Sequence, residues 1–175
     1  MVIFSTVKWS PLLGLVSAIA IAFPARAGNV EIPSAFFISK SENKNQVHYA
    51  VLVDDNCRPV GNAPVRPYWR ELERGPGVTS PLLDREQPAY GIASQTVTSG
   101  EIVLTLRALP ARPLRIETAR GQDGACASWT HMTIAAEPSQ LYQIHVTLRL
   151  FSIDSILLTG WTWTDRRVIR ETLKP

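Results

Sequence analysis

Alternation of apolar and polar side chains from Leu141 to Leu150 constrains the fold more than any other feature of the sequence. In LYQIHVTLRL, almost every second side chain is apolar or aromatic. One predicted face carries Tyr142, Ile144, Val146, Leu148 and Leu150, and the other carries Gln143, His145, Thr147 and Arg149. Because successive side chains of a β-strand point to opposite faces of the sheet, this pattern predicts a half-buried strand.

The same strand-like character recurs along the chain. It is found in QVHYAVLV (46–53), EIVLTLR (101–107), LRIETAR (114–120), SWTHMTI (near 127–135), ILLTGWTWT (156–164) and RVIRETL (167–173). The connections are short and rich in turn residues, which is typical of antiparallel neighbours. The sequence therefore predicts an all-β antiparallel meander of about 7–9 strands.

A meander of this kind has edge strands that must be protected from pairing with other chains. We expect a barrel-like or strongly curled sheet, with a two-sheet β-sandwich as the alternative. Ser80-Pro81 has the form of a helix start, so the sequence also predicts one short helical turn near 81–87 that ends before Pro88.

The first 27 residues have the composition of a secretory signal peptide. Lys8 precedes the apolar run WSPLLGLVSAIAIAF, and Ala25-Arg26-Ala27 gives the small-residue pattern of a cleavage site. The run is shorter than the roughly 20 apolar residues of a membrane span. We therefore expect residues 1–27 to be removed on export. Residues 28–175 would then form a single β domain, periplasmic or secreted, with no stable membrane span; a retained N-terminal anchor is the alternative.

The charge of the chain argues against a nucleic-acid partner. The net charge is +3, and removal of Lys8 and Arg26 with the signal peptide lowers it to +1. Binding to a phosphate backbone needs a concentrated basic surface, and the sequence contains no basic stripe of that kind.

Cys57 and Cys126 are the two cysteines of the chain. An even number of cysteines in an exported domain favours a disulfide between them, because disulfides persist in oxidising compartments. Two independently buried thiols are the alternative. Neither cysteine has a histidine at the spacing of a metal site, so no metal or other cofactor is predicted.

Signals for catalysis are weak. His48, His131 and His145 all lie on predicted strands, and no nucleophile elbow or paired-histidine motif accompanies them. We predict no catalytic residue and do not favour an enzyme; a hydrolase that uses one of these three histidines is an alternative.

Ser41-Glu42-Asn43-Lys44-Asn45 separates two strand-like runs and has the composition of a hairpin turn. FFISKSENKNQVHY, APVRPYW and LLDREQPAYGI together resemble the bacterial family called domain of unknown function 4833. The matching positions are Phe37, Ile38, Ser41, Asn43, Asn45, Pro64, Val65, Tyr68, Trp69, Ala89, Tyr90 and Gly91, with Gly160 and Glu171 in the C-terminal stretch. The resemblance implies no activity, since none is established for the family.

Five residues are candidates for ligand binding. Tyr68, Trp69 and Tyr90 combine apolar rings with polar tips, which suits the mouth of a pocket, although such rings also serve as core packing. Asn43 and Asn45 would either tie the turn to a neighbouring loop or contact a ligand.

Three functions follow as hypotheses. The first is a binding or accessory module of the cell envelope for a small or apolar ligand, and it is the one that we favour. The second is the hydrolase, for which a histidine should bond to both a serine and an aspartate. The third is an envelope assembly factor that uses an exposed strand edge.

Export is expected to leave Gly28 as the first residue of the mature protein, because Ala25-Arg26-Ala27 fits the cleavage pattern. N-terminal sequencing of the protein recovered outside the cytoplasm should read Gly28-Asn29-Val30. A membrane-held form that still begins at Met1 would contradict this prediction.

Overall fold

The computed structural model describes residues 28–149 and 152–174. The predicted signal peptide at 1–27 and the predicted core residue Leu150 lie outside the described residues. The described chain forms twelve β-strands: β1 (Val30–Ile32), β2 (Phe37–Lys40), β3 (Asn43–Val53), β4 (Val65–Arg70), β5 (Thr79–Pro81), β6 (Ile92–Thr98), β7 (Glu101–Leu106), β8 (Leu114–Arg120), β9 (Cys126–Ile134), β10 (Glu137–Arg149), β11 (Ser152–Thr162) and β12 (Val168–Leu173).

Antiparallel pairing dominates the sheet, as predicted. Each strand from β6 to β12 pairs with the next along the chain, and β2 to β5 form a second consecutive run. β1 pairs with β3. The two runs meet where β2 and β10 pair in parallel. The strand count exceeds the predicted number of about 7–9 partly because β1, β2 and β5 are only three or four residues long.

The sheet is not closed into a barrel, so the barrel-like closure favoured from the sequence is corrected. The main path of paired strands begins at β5 and ends at β6, and these two strands do not pair with each other. The physical reason is the pairing of β10. β11 occupies one of its edges from Ser139 to Arg149, while β9 pairs with Glu137–Gln140 and β2 with Gln143–Val146. β9 and β2 therefore share the other edge, and the sheet forks there. One branch runs from β9 to β6, and the other runs from β2 to β5 and includes β1.

The two branches of the fork enclose one apolar core. Five residues from the two branches have no exposed surface and belong to the same buried cluster: Val47, Tyr49 and Val51 of β3, and Ile102 and Leu104 of β7. Complete burial of one such aliphatic side chain stabilises the fold by about 1.5–3 kcal/mol. The core is therefore the main link between the branches.

A disulfide and two hydrogen bonds add to this link. Cys57 and Cys126 are bonded, with a Cα–Cα distance of 5.3 Å, which confirms the predicted pairing. Beside the disulfide, the Thr118 hydroxyl donates to the Cys57 carbonyl at 2.7 Å. The Val65 amide of β4 donates to the side-chain oxygen of Gln95 in β6 at 2.9 Å. Strands that are distant in the sheet are thus held together across the core.

The alternation in β10 is correct at Ile144 and Val146 and wrong at Tyr142. A register shift between Leu141 and Gln143 marks a β-bulge, and the extra residue reverses the alternation on its N-terminal side. Leu141 is therefore buried, while Tyr142 is 46% exposed and belongs to the outer surface.

The helical segment starts later than predicted. Ser80 and Pro81 lie in β5, which pairs with β4, whereas a 3-10 turn covers Asp84–Glu86 and α1 covers Gln87–Tyr90. Pro88 does not end the helix as expected, because it lies in the first turn, where no intrahelical N–H bond is required.

Replacement of Gly160 by alanine is expected to destabilise the fold by about 1–3 kcal/mol, the usual cost of overpacking. A Cβ atom at Gly160 would clash with the Gln140 carbonyl oxygen and would lie 2.7 Å from the Ile134 Cδ1 atom. Urea denaturation should show a lower midpoint for Gly160→Ala. Gly28→Ala is the matched control, since a Cβ atom there would make only an ordinary contact, 3.6 Å from Asp55 Oδ1; equal midpoints for both variants would contradict the prediction.

Candidate functional site

The segment Ser41–Asn45 forms a hairpin turn, as predicted, but the loop itself contains only Ser41 and Glu42. Asn43 already belongs to β3 and pairs with Lys40 of β2. The Asn43 side-chain oxygen accepts from the Asn45 amide at 3.1 Å, and the Asn45 side-chain oxygen accepts from the Glu73 amide at 3.1 Å. Asn45 thus ties the hairpin to the loop after β4, whereas Asn43 fixes its own strand.

A surface groove of about 370 Å³ lies where this hairpin meets β4, β5 and the segment before α1. It is lined by Lys40, Asn45, Trp69, Glu71, Ser80, Pro81, Leu83 and Glu86. We call it the Trp69 groove. The alternation of β4 turns Trp69 toward the core side of the sheet, and its partner in β5, Ser80, lines the same groove.

Trp69 is held from three sides. Its indole N–H donates to a Glu86 carboxylate oxygen at 2.8 Å, and the Leu83 amide donates to the same oxygen at 2.9 Å. The Tyr90 ring meets the indole edge to face, with the centroids 5.3 Å apart. The Lys40 ammonium lies 5.3 Å from an indole ring centroid, within range of a cation–π interaction.

The groove brings together charges of both signs. Hydrogen bonds from Ser80 and Arg74 hold the pKa of Glu71 below its usual range, so this carboxylate stays ionised. Burial, with the negative charges of Glu42 and Glu86, raises the pKa of the Tyr90 hydroxyl. Lys40 supplies the positive charge and lies 3.8 Å from Glu42.

Three of the five predicted binding residues therefore meet at one place. Asn45 and Trp69 line the groove, and Tyr90 packs against Trp69 without lining it. Tyr68 is separate, because it is the neighbour of Trp69 along β4 and faces the opposite side of the sheet. Its hydroxyl donates to the Pro33 carbonyl at 2.7 Å.

Four further polar or charged residues that line the groove were not predicted from the sequence: Lys40, Glu71, Ser80 and Glu86. Lys40 could have been found, since a hairpin at 41–45 places it beside the two asparagines. Glu71, Ser80 and Glu86 reach the groove only through the pairing of β5 and the turn that follows it, for which the sequence carries no periodic signal.

Two histidines contact serines on the outer face of the sheet. The Gln143 side-chain amide donates to Ser39 Oγ at 2.6 Å, so the Ser39 hydroxyl proton is free to be donated to His145 Nδ1 at 2.7 Å. His48 Nδ1 lies 2.8 Å from Ser34 Oγ. Neither imidazole bonds to a carboxylate within the described ranges, so neither pair has the third group that orients a catalytic base.

His131 has a different environment. Its Nε2 atom lies 3.6 Å from a Glu117 carboxylate oxygen, and its ring lies 4.5 Å from that of Trp163. Burial holds the pKa of His131 below its usual value despite the nearby carboxylates. Neither of its nitrogens makes a hydrogen bond in the described structure.

Two further findings concern the described residues as a whole. No group of three or more His, Cys, Asp or Glu side chains is arranged to hold a metal ion among them. Within the same ranges, no helix combines the length and the apolar character needed to cross a membrane.

The fold and the groove define a small, mostly antiparallel β domain with an open surface groove that carries both charges. Residues 36–172 match the family described as Domain of unknown function (DUF4833), and the chain belongs to this family. The match confirms the resemblance seen in the sequence and covers both the groove and the fork of the sheet. No curated protein and no solved structure matches the chain.

Stability is expected to fall as the pH drops from about 6.5 to 4, in part because of His48. Burial and the nearby charge of Arg70 lower the pKa of His48 to about 4. The unfolded chain therefore takes up a proton on His48 in this range, whereas the folded chain does not. Above pH 6.5, His48 is neutral in both the folded and the unfolded chain, so its protonation no longer lowers the stability.

Urea denaturation at pH 7 and pH 5 tests this expectation. The wild-type free energy of unfolding should fall by about 1–2 kcal/mol more than that of His48→Gln, which has no proton to gain. Equal losses in the two proteins would show that His48 does not resist protonation in the folded state.

Proposed function

We propose that this protein is an exported binding module of the cell envelope and that the Trp69 groove holds a small polar ligand. The observation that carries the proposal is the meeting of Lys40 with Glu71 and Glu86 around a fixed indole ring. The groove volume of about 370 Å³ falls in the range of small-molecule sites, roughly 300–1,000 Å³.

An apolar ligand in the core has less support. The apolar cavity beside Tyr90, Leu109 and Ile144 measures only about 40 Å³. That is room for a water molecule or two, whereas small-molecule ligands occupy pockets several times larger. A ligand at the surface groove requires no displacement of core side chains.

The lining of the groove favours a zwitterion. The Lys40 ammonium can pair with a ligand carboxylate, and Glu71 and Glu86 can accept from a ligand ammonium. Ser80 and Asn45 add neutral polar groups to the lining. A free amino acid or a short peptide carries both charged ends at neutral pH and matches this arrangement.

Export is part of the same proposal. It is supported by the signal-like composition of residues 1–27 and by the Cys57–Cys126 disulfide, since disulfides are rare in reducing compartments. The periplasm and the extracellular space are both compatible with these features.

The hydrolase alternative is supported by the Ser39–His145 contact at 2.7 Å, but no aspartate completes it within the described residues. The assembly-factor alternative is supported by β6, a seven-residue strand that pairs only with β7 in the described sheet. Both alternatives have less support than the groove.

Alanyl-alanine, a zwitterionic dipeptide, is expected to bind the purified protein, and Lys40→Met should weaken its binding about tenfold. Loss of one charge-assisted hydrogen bond accounts for a change of that size. Isothermal titration calorimetry measures both affinities. Lys44→Met is the matched control, since Lys44 is an exposed residue of the same hairpin that does not line the groove.

The expected pattern is unchanged binding by Lys44→Met and weakened binding by Lys40→Met, with native circular dichroism spectra for both variants. Absence of dipeptide binding at millimolar concentration would reject the zwitterion. Equal affinities for the two variants would reject the groove as its site.

A further inference from the structure

Five rings form a continuous row across the outer face of the sheet. The row contains Tyr68 of β4, His48 of β3, Phe37 of β2, Tyr142 of β10 and Trp161 of β11. Successive ring centroids are 5.9, 5.3, 5.6 and 4.9 Å apart. We call this row the aromatic strip.

The aromatic strip crosses five neighbouring strands in the order β4-β3-β2-β10-β11. Four spacings of about 4.8 Å give it a length of about 19 Å. The bulge in β10 is essential to its continuity, because it places Tyr142 on the outer face between Phe37 and Trp161. Tyr142 is 46% exposed, far more than a residue that serves only for packing.

Polar side chains accompany the rings. Ser39, Gln143 and His145 form a hydrogen-bonded group on the same face. His48 Nε2 lies 2.9 Å from the Gln46 side-chain oxygen. The low pKa of His48 keeps its imidazole neutral, and its two ring nitrogens contact Gln46 and Ser34.

The strip itself contains no ionised side chain. Arg66 and Glu31, near its Tyr68 end, pair with each other at 2.6 Å. Arg70 lies close enough to lower the pKa of His48, but it is not one of the five rings. A phosphate polymer needs a positively charged track beside its stacking platforms, and the strip does not provide one.

We propose that the aromatic strip binds a neutral glycan chain. His48 is buried within the row, and the rings on either side of it are partly or largely exposed. These rings offer apolar surface to the C–H faces of sugar rings, and the neighbouring amide, hydroxyl and imidazole groups offer hydrogen bonds to sugar hydroxyls. An uncharged polymer matches an uncharged strip. The strip is independent of the Trp69 groove, because Tyr68 and Trp69 face opposite sides of β4.

Neutral oligosaccharides test the proposal with the full chain. Chitohexaose and cellohexaose are titrated by calorimetry, with alanyl-alanine as a separate ligand for the groove. At least one hexasaccharide should bind, and Tyr142→Ala and Trp161→Ala should each reduce its affinity roughly tenfold. Tyr142→Phe should keep most of the affinity, since it keeps the ring.

Trp163→Ala is the matched control. Trp163 is 54% exposed and packs against His131, outside the strip. It should bind the hexasaccharide like the wild type. Equal losses in Trp163→Ala and Trp161→Ala, or no binding of either hexasaccharide at millimolar concentration, would overturn the proposal.

A proline-rich peptide is the other polymer that docks on aromatic surfaces. Binding of decaproline to the strip, with no hexasaccharide bound, would also overturn the glycan assignment. Because the dipeptide is measured separately with the Lys40→Met variant, failure at the strip and failure at the groove give different results.

Discussion

The division of one edge of β10 between β9 and β2 is the constraint on which the rest of the structure depends. β11 covers the other edge almost completely, so the two partners must follow each other along the strand. β2 runs parallel to β10 and β9 runs antiparallel to it, which directs the remaining strands into two branches. The branches then bury their apolar faces against each other, because an open sheet would leave those faces in water.

Both proposed sites follow from the alternation of β4 within this arrangement. Trp69 faces the core side, beside its β5 partner Ser80, and lines a groove with it. Tyr68, its neighbour, faces outward and begins a row of rings that crosses the fork. Two adjacent residues of β4 thus contribute to a charged groove on one face of the sheet and to an uncharged strip on the other.

Local patterns in the sequence were enough to predict the strands but not their partners. The alternation at 46–53 and 114–120 lies within observed strands, since burial of one face requires a period of two. The bulge at Tyr142 and the β-pairing of Ser80 depend on neighbours distant in the chain. Asn45 and Trp69 could be named from the sequence because they carry the family resemblance. Glu71 and Glu86 could not, because only tertiary contacts bring them to the groove.

The connection between groove and core determines how each site can respond to a ligand. The Tyr49 hydroxyl donates to the Tyr90 carbonyl, and burial strongly raises the pKa of Tyr49, so the hydroxyl stays protonated as a donor. Tyr90 in turn supports Trp69, whose N–H is fixed by Glu86. The floor of the groove is therefore ordered before a ligand arrives, and binding there incurs little loss of side-chain entropy. Tyr142, with nearly half of its surface in water, has more freedom to lose, so the strip would depend on several rings acting together.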